Sequence, residues 1–149
     1  MNTGPVTTEN ARPRPPATSP SIIVLTLARR VETELNAALA PLELTVARLG
    51  LLGHVKAVPG ASFSELARMS GTSVQSVHTA VKSLVVAGLV RDHTARAGSA
   101  SEIELTEEGA RLLDEAKRVV STVDELLFGD GADPIQRRVG AGILDAFRP

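Results

Sequence analysis

Between residues 21 and 147 apolar side chains recur with helical spacing, and the pattern breaks at only a few places. Ile23, Leu27, Val31, Leu35 and Leu39 follow every fourth position, with Ile22 and Leu25 widening the stripe. This predicts a helix capped by Ser21 and closed by Pro41. A second helix, from about Thr45 to Val55, carries Val46, Leu49, Gly50 and Gly53 on a narrow face, and Pro59-Gly60 then makes a turn.

Ser62-Phe-Ser-Glu65 has the form of a capping box, which starts a short helix ending near Met69. Ser70-Gly71-Thr72 follows, with Gly71 suited to a left-handed turn. Ser73 then caps a further helix whose inward residues are expected to be Val74, Val77, Val81, Leu84 and Val85, and Gly88 ends it. Two short helices joined by three residues that include glycine make a helix-turn-helix. The face left uncovered on the second helix holds Gln75, Ser76, Thr79, Lys82 and Ser83. It is polar and nearly uncharged, whereas a merely solvated face more often carries Glu and Lys pairs at i,i+4.

Beyond that motif the period changes. Leu89-Val90-Arg91 reads as a strand, and Ile103 and Leu105 alternate with Glu102 and Glu104 in a second one. The Ala, Gly and Ser-rich segment between them, Thr94 to Ser101, is expected to form the tip of a wing with Arg96 its only charge. Thr106 caps a long helix with Glu107 and Glu108 at its positive end. Its stripe is Leu112, Leu113, Ala116, Val119, Val120, Val123, Leu126 and Leu127, and it stops at Gly129-Asp-Gly131. Pro134 opens a final helix with Ile135, Val139, Ile143 and Phe147 at every fourth position. The first and last two helices carry more apolar surface than a small winged core covers. A second copy of the chain is the economical way to bury the surplus.

The fold expected is therefore mainly α with a small β wing: a winged helix-turn-helix whose terminal helices form a dimerisation region. Residues 1–20, with Pro5, Pro13, Pro15, Pro16 and Pro20, are expected to form a flexible arm. Residues 21–43 and 106–149 form the dimerisation region, and 44–105 the DNA-binding unit.

Composition removes several function classes. The chain has no Cys, Trp or Tyr among its 149 residues. That excludes disulfides, thiol chemistry and cysteine-ligated zinc, and leaves little material for stacking unpaired bases. His54, His78 and His93 are scattered, so neither a metal site nor a cofactor is predicted. No catalytic constellation is visible, and Glu107-Glu108 is accounted for by its helix terminus. The apolar run Ile22 to Ala28 is too short to span a bilayer, so no membrane association and a cytoplasmic location are expected. The net charge of −1 is a sum of unlike parts. Residues 44–105 hold six basic and four acidic side chains, or +2, whereas residues 106–149 hold six and nine, or −3. The asymmetry, not the total, points toward nucleic acid.

On Ser64-Glu-Leu-Ala67, Val81 through Leu84, Gly88-Leu-Val-Arg91 and Leu105-Thr-Glu-Glu-Gly109, the chain resembles the MarR (multiple antibiotic resistance regulator) family of bacterial transcription factors. The order of elements matches over roughly residues 21 to 147. The resemblance implies a homodimer with interleaved terminal helices, each recognition helix in a major groove, and a repressor released by small molecules. Two features depart from it. Where the family carries Asp-x-Arg and further basic residues, the wing here reads Ala97-Gly98-Ser99-Ala100 beside Arg96; and Thr79 stands where the family often has arginine.

The expected partner is double-stranded DNA with a pseudo-palindromic operator. Gln75, Ser76 and Thr79 address base edges, since Gln suits adenine, hydroxyls suit several bases and the Thr methyl suits thymine. Lys82 reaches phosphate and Arg96 the minor groove. Arg91, at the wing base, pairs with a phosphate or a carboxylate. Ser64 and Arg68 on the first helix of the motif, and Ser73 at the second helix's start, complete the DNA-facing set. Arg30 and His54 are the candidates for lining a cleft for a small organic ligand. The competing reading is a winged-helix protein-interaction module that has lost DNA binding, which the sparse wing charge favours.

Overall fold

The computed structural model describes residues 19–93 and 102–149. Residues 1–18 and the expected wing tip, with Arg96, lie outside them. Helix α1 spans Pro20–Leu39 and leads through a 3-10 turn, Ala40–Leu42, into α2, Val46–Ala57. Helices α3, Phe63–Ser70, and α4, Val74–Val86, form the helix-turn-helix. Strands β1, Val90–Asp92, and β2, Ile103–Leu105, form the wing base. Helix α5, Glu107–Phe128, and α6, Pro134–Ala146, follow.

Local chemistry accounts for the element ends. Helix α1 starts two residues earlier than a cap at Ser21 implies. Ser19 occupies the cap position and Pro20 the first turn, where a missing N–H costs nothing; Ser21 is therefore inside the helix. Asn36, near the end of α1, accepts from the Val46 amide at 2.8 Å and thereby ties α1 to the start of α2. The capping box forms in full: the Glu65 amide donates to Ser62 Oγ at 3.1 Å and the Ser62 amide to Glu65 Oε2 at 2.7 Å. Gly71, at φ 63°, closes α3, with its own amide bonded to the Arg68 carbonyl and that of Thr72 to the Ala67 carbonyl. This is a Schellman closure, in which the left-handed residue lets two otherwise orphaned carbonyls be satisfied. It repeats at Gly88, φ 74°, behind α4.

Strands β1 and β2 pair antiparallel, with Val90 opposite Leu105, Arg91 opposite Glu104 and Asp92 opposite Ile103. The core gathers Leu39, Leu44, Leu52, Leu66, Val81, Leu84 and Ile103 with the first half of α5, and among the described residues no polar or charged residue is buried in it. Helix α5 packs along α1, and α6 folds back on α5.

Several inward faces differ from the spacing. Helix α2 buries Leu51, Leu52 and Val55, not its glycines, because α3 and α5 cover that side. In α4 the covered arc is Val77, Val81 and Leu84, while Val74 and Val85 lie at its margins, 41% and 40% exposed. In α5 Leu113, Ala116, Val123 and Leu127 face inward, whereas Leu126 sits off that arc and is exposed. No residue of α6 is buried. Among the described residues no single helix is long and apolar enough to cross a membrane.

Candidate nucleic-acid interface

The turn between α3 and α4 places α4 across α3, so that its buried arc of Val77, Val81 and Leu84 rests on the core. The opposite arc, Gln75, Thr79, Lys82 and Ser83, is exposed and contains no acidic side chain. Ser73 Oγ accepts from the Ser76 amide at 3.1 Å and lies 2.8 Å from Ser76 Oγ. Ser73 and Ser76 are thus engaged in holding the helix start rather than free rotors. Thr79 Oγ1 donates to the Gln75 carbonyl at 3.1 Å. Its proton is therefore occupied, and what Thr79 offers a partner is an acceptor oxygen and a methyl group. Gln75 is the residue of this arc with a bidentate donor–acceptor end.

The other predicted residues fall around this arc. Ser64 and Arg68 are exposed on α3, and Arg91 is exposed on β1. Directly opposite Arg91 stands Glu104, yet the Glu104 carboxylate meets His93 Nε2 at 3.9 Å, and Arg91 forms no ion pair among the described residues. Glu65 is held below the usual carboxylate range by the Ser62 amide, then by the Ser62 hydroxyl, with Arg68 adding a smaller effect.

Arg30 and His54 are not brought together. His54 is half-buried on α2 and lines a cavity of about 430 Å³ between α2 and the helix-turn-helix, with Leu51, Met69, Ser76 and Val77. Arg30 is exposed on α1 and does not line it.

Two features were not legible in the pattern. Phe63 and His78 stack, ring centroids 3.7 Å apart and 16° between planes, which locks the edge of α4 to the start of α3. Arg48, in the first turn of α2, borders a groove with the polar arc of α4. Its signal in the sequence is a cation at a helix N-terminus, where the dipole disfavours it.

Known proteins give the same picture. Residues 42–98 match the model of the MarR family. The HTH-type transcriptional repressor Rv2887 of Mycobacterium tuberculosis (strain ATCC 25618 / H37Rv) is 33% identical over 105 residues, 70% of this chain and 76% of that protein. The crystal structure of Rv2887 in complex with DNA superposes with a TM-score of 0.70 at 26% identity, covering 87% of this chain and 98% of that one. That of Rv2887 with salicylic acid gives 0.67 at 26% identity, covering 86% and 96%. The helix-turn-helix with its polar recognition arc, the wing base and the long flanking helices thus have one common source: the chain belongs to the MarR family of winged helix-turn-helix transcription regulators.

Proposed function

We propose that this regulator works as a homodimeric repressor, which binds a pseudo-palindromic operator and is released from it by a small organic ligand. The observation that carries the reading is the exposed, acid-free polar arc of α4, held at both ends by capped turns. In this reading residues 44–105 bind DNA. Gln75, Ser76 and Thr79 face base edges; Ser64, Arg68, Ser73, Lys82 and Arg91 face the backbone; Arg96 enters the minor groove.

Residues 21–43 and 106–149 supply the dimer contact. Ile22, Val24 and Leu25 on α1 and Ile135, Leu144 and Phe147 around α6 stand exposed in the single chain, Phe147 at 84% and Leu144 at 70%. Exposed apolar side chains of this kind are favourable to cover with a second copy. Two such subunits place their recognition helices in half-sites one helical turn apart, roughly 10 bp. The complex of Rv2887 with salicylic acid supports an aromatic carboxylate as the kind of ligand to test, and the cavity beside His54 has an apolar wall suited to its ring. The reading places the protein in the cytoplasm, with the DNA.

The salt dependence of DNA binding tests the backbone contacts. If Arg68, Lys82, Arg91 and Arg96 each reach a phosphate in both subunits, the log-log slope is about −7. A slope shallower than about −3 removes that contact set.

A further inference from the structure

Helix α4 has two flanks. On the α3 side Lys82 stands beside the Phe63–His78 stack, in a recess shared with Val85 and Asp92. On the α2 side a groove of about 390 Å³ separates Arg48 from Gln75, Ser76, Thr79 and Ser83. Among the described residues, Arg48 is the only charged one lining that groove.

The hydrogen bonding of Arg48 is incomplete. Its Nη1 donates to the Glu43 carbonyl at 3.1 Å, where the chain turns through the left-handed region at φ 55°. Its Nε is buried without a hydrogen-bond partner, and the side chain forms no ion pair among the described residues. The fold alone gives little reason for an arginine here. The helix dipole opposes a cation in a first turn, and a guanidinium N–H withdrawn from water without a partner is costly. Beyond the bond to Glu43, the fold asks nothing of this side chain that needs a guanidinium. What an arginine adds is a planar fork, anchored at one nitrogen and with donors to spare, beside the polar arc of α4.

We propose that Arg48 is a DNA-backbone contact that holds the phosphate strand on the α2 side of the major groove, opposite the strand that Lys82 holds. A helix lying in a groove about 12 Å wide has a phosphate wall on each side. The recognition helix itself carries a cation toward only one of them, and α2 supplies the other. The assignment rests on α4 being the DNA-reading helix. It adds one phosphate per protomer, and so steepens the expected salt slope of a dimer by about 2.

The test uses the full-length chain and a duplex that the wild-type protein selects from a randomised pool. Arg48→Gln is expected to weaken binding about tenfold at 0.1 M salt and to make the slope shallower by about 2, with the selected base preference unchanged. Arg48→Lys, which keeps the charge, is expected to recover most of the slope. A wild-type slope retained by Arg48→Gln overturns the assignment. So does a loss in Arg48→Lys as large as in Arg48→Gln, which would mark the side chain as an anchor for Glu43 only. Failure of the wild-type chain to select any duplex overturns the DNA-reading role of α4, and Arg48 falls with it; that failure appears in the wild type rather than in the variants.

Discussion

The winged core and the terminal helices are built from similar apolar stripes, yet they treat them oppositely. In the core, Leu52, Leu66 and Leu84 are wholly buried at 0% exposure, and glycines and caps bring the elements close enough to cover them. In α6 nothing is buried, and Ile135 and Ile143 stand open at 61% and 50%. The same four-residue spacing thus has two meanings. In one place it marks a face that the chain covers itself; in the other it marks a face that the single chain leaves open.

Truncation separates the two most sharply. Leu84→Ala is expected to cost about 2–5 kcal/mol, because it leaves a cavity where α4 rests on the core, and urea melts measure it. Phe147→Ala, at a far more exposed side chain, is expected to leave the unfolding of the monomer within about 0.5 kcal/mol. Its effect belongs in the dimer dissociation constant, read by sedimentation equilibrium. Equal effects of the two changes on the monomer would erase the distinction.

Next in size is a backbone contact inside the core. A Cβ at Gly109 would lie 2.0 Å from the Leu89 carbonyl oxygen, at the point where the start of α5 closes on the wing base. Thr106 Oγ1 pins the same junction by donating to the Gly88 carbonyl at 2.6 Å. Gly109→Ala is therefore expected to destabilise by about 1–3 kcal/mol, since backbone has to shift. Gly142, with open space around it in α6, is the matched control: Gly142→Ala is expected to be neutral or slightly stabilising.

The smallest effect lies at the α3 cap. Ser62→Ala is expected to cost about 1 kcal/mol by removing the acceptor for the Glu65 amide. The Glu65 carboxylate has its pKa lowered in the folded chain, chiefly by the Ser62 amide. It therefore contributes stability above its unfolded pKa, and that contribution is lost as pH falls through the lower folded one. Glu65→Gln is expected to flatten this acid-side slope in melts between about pH 5 and 3, a range around the ordinary Glu pKa. An unchanged slope would detach Glu65 from the acid-side stability of the core.

What was legible in the sequence divides along the same line. The capping box at Ser62 and Glu65, the turn at Gly71, the stop at Gly88 and the cap at Thr106 are written in residues at most a few positions apart, and each forms as its spacing implies. Inward faces were less legible. Val74, Val85 and Leu126 have the right spacing but lie off the covered arc, and α2 buries Leu51 and Leu52 rather than the glycine side. Periodicity identifies a stripe, whereas the neighbour that covers it is set by packing between distant elements. The site follows the same rule. Gln75, Thr79 and Lys82 were visible because they share one helix face. Arg48 was not, because only the packing of α2 beside α4 brings it to that face.

The most direct test of the regulator's role is a footprint on the DNA upstream of its own gene, with scrambled DNA as competitor. The account predicts a protected stretch containing two half-sites with centres roughly 10 bp apart. It also predicts that Thr79→Ala weakens this preference without disturbing dimerisation. Equal binding to upstream and scrambled DNA by a normally dimeric protein would contradict it and favour a winged-helix protein-interaction module instead.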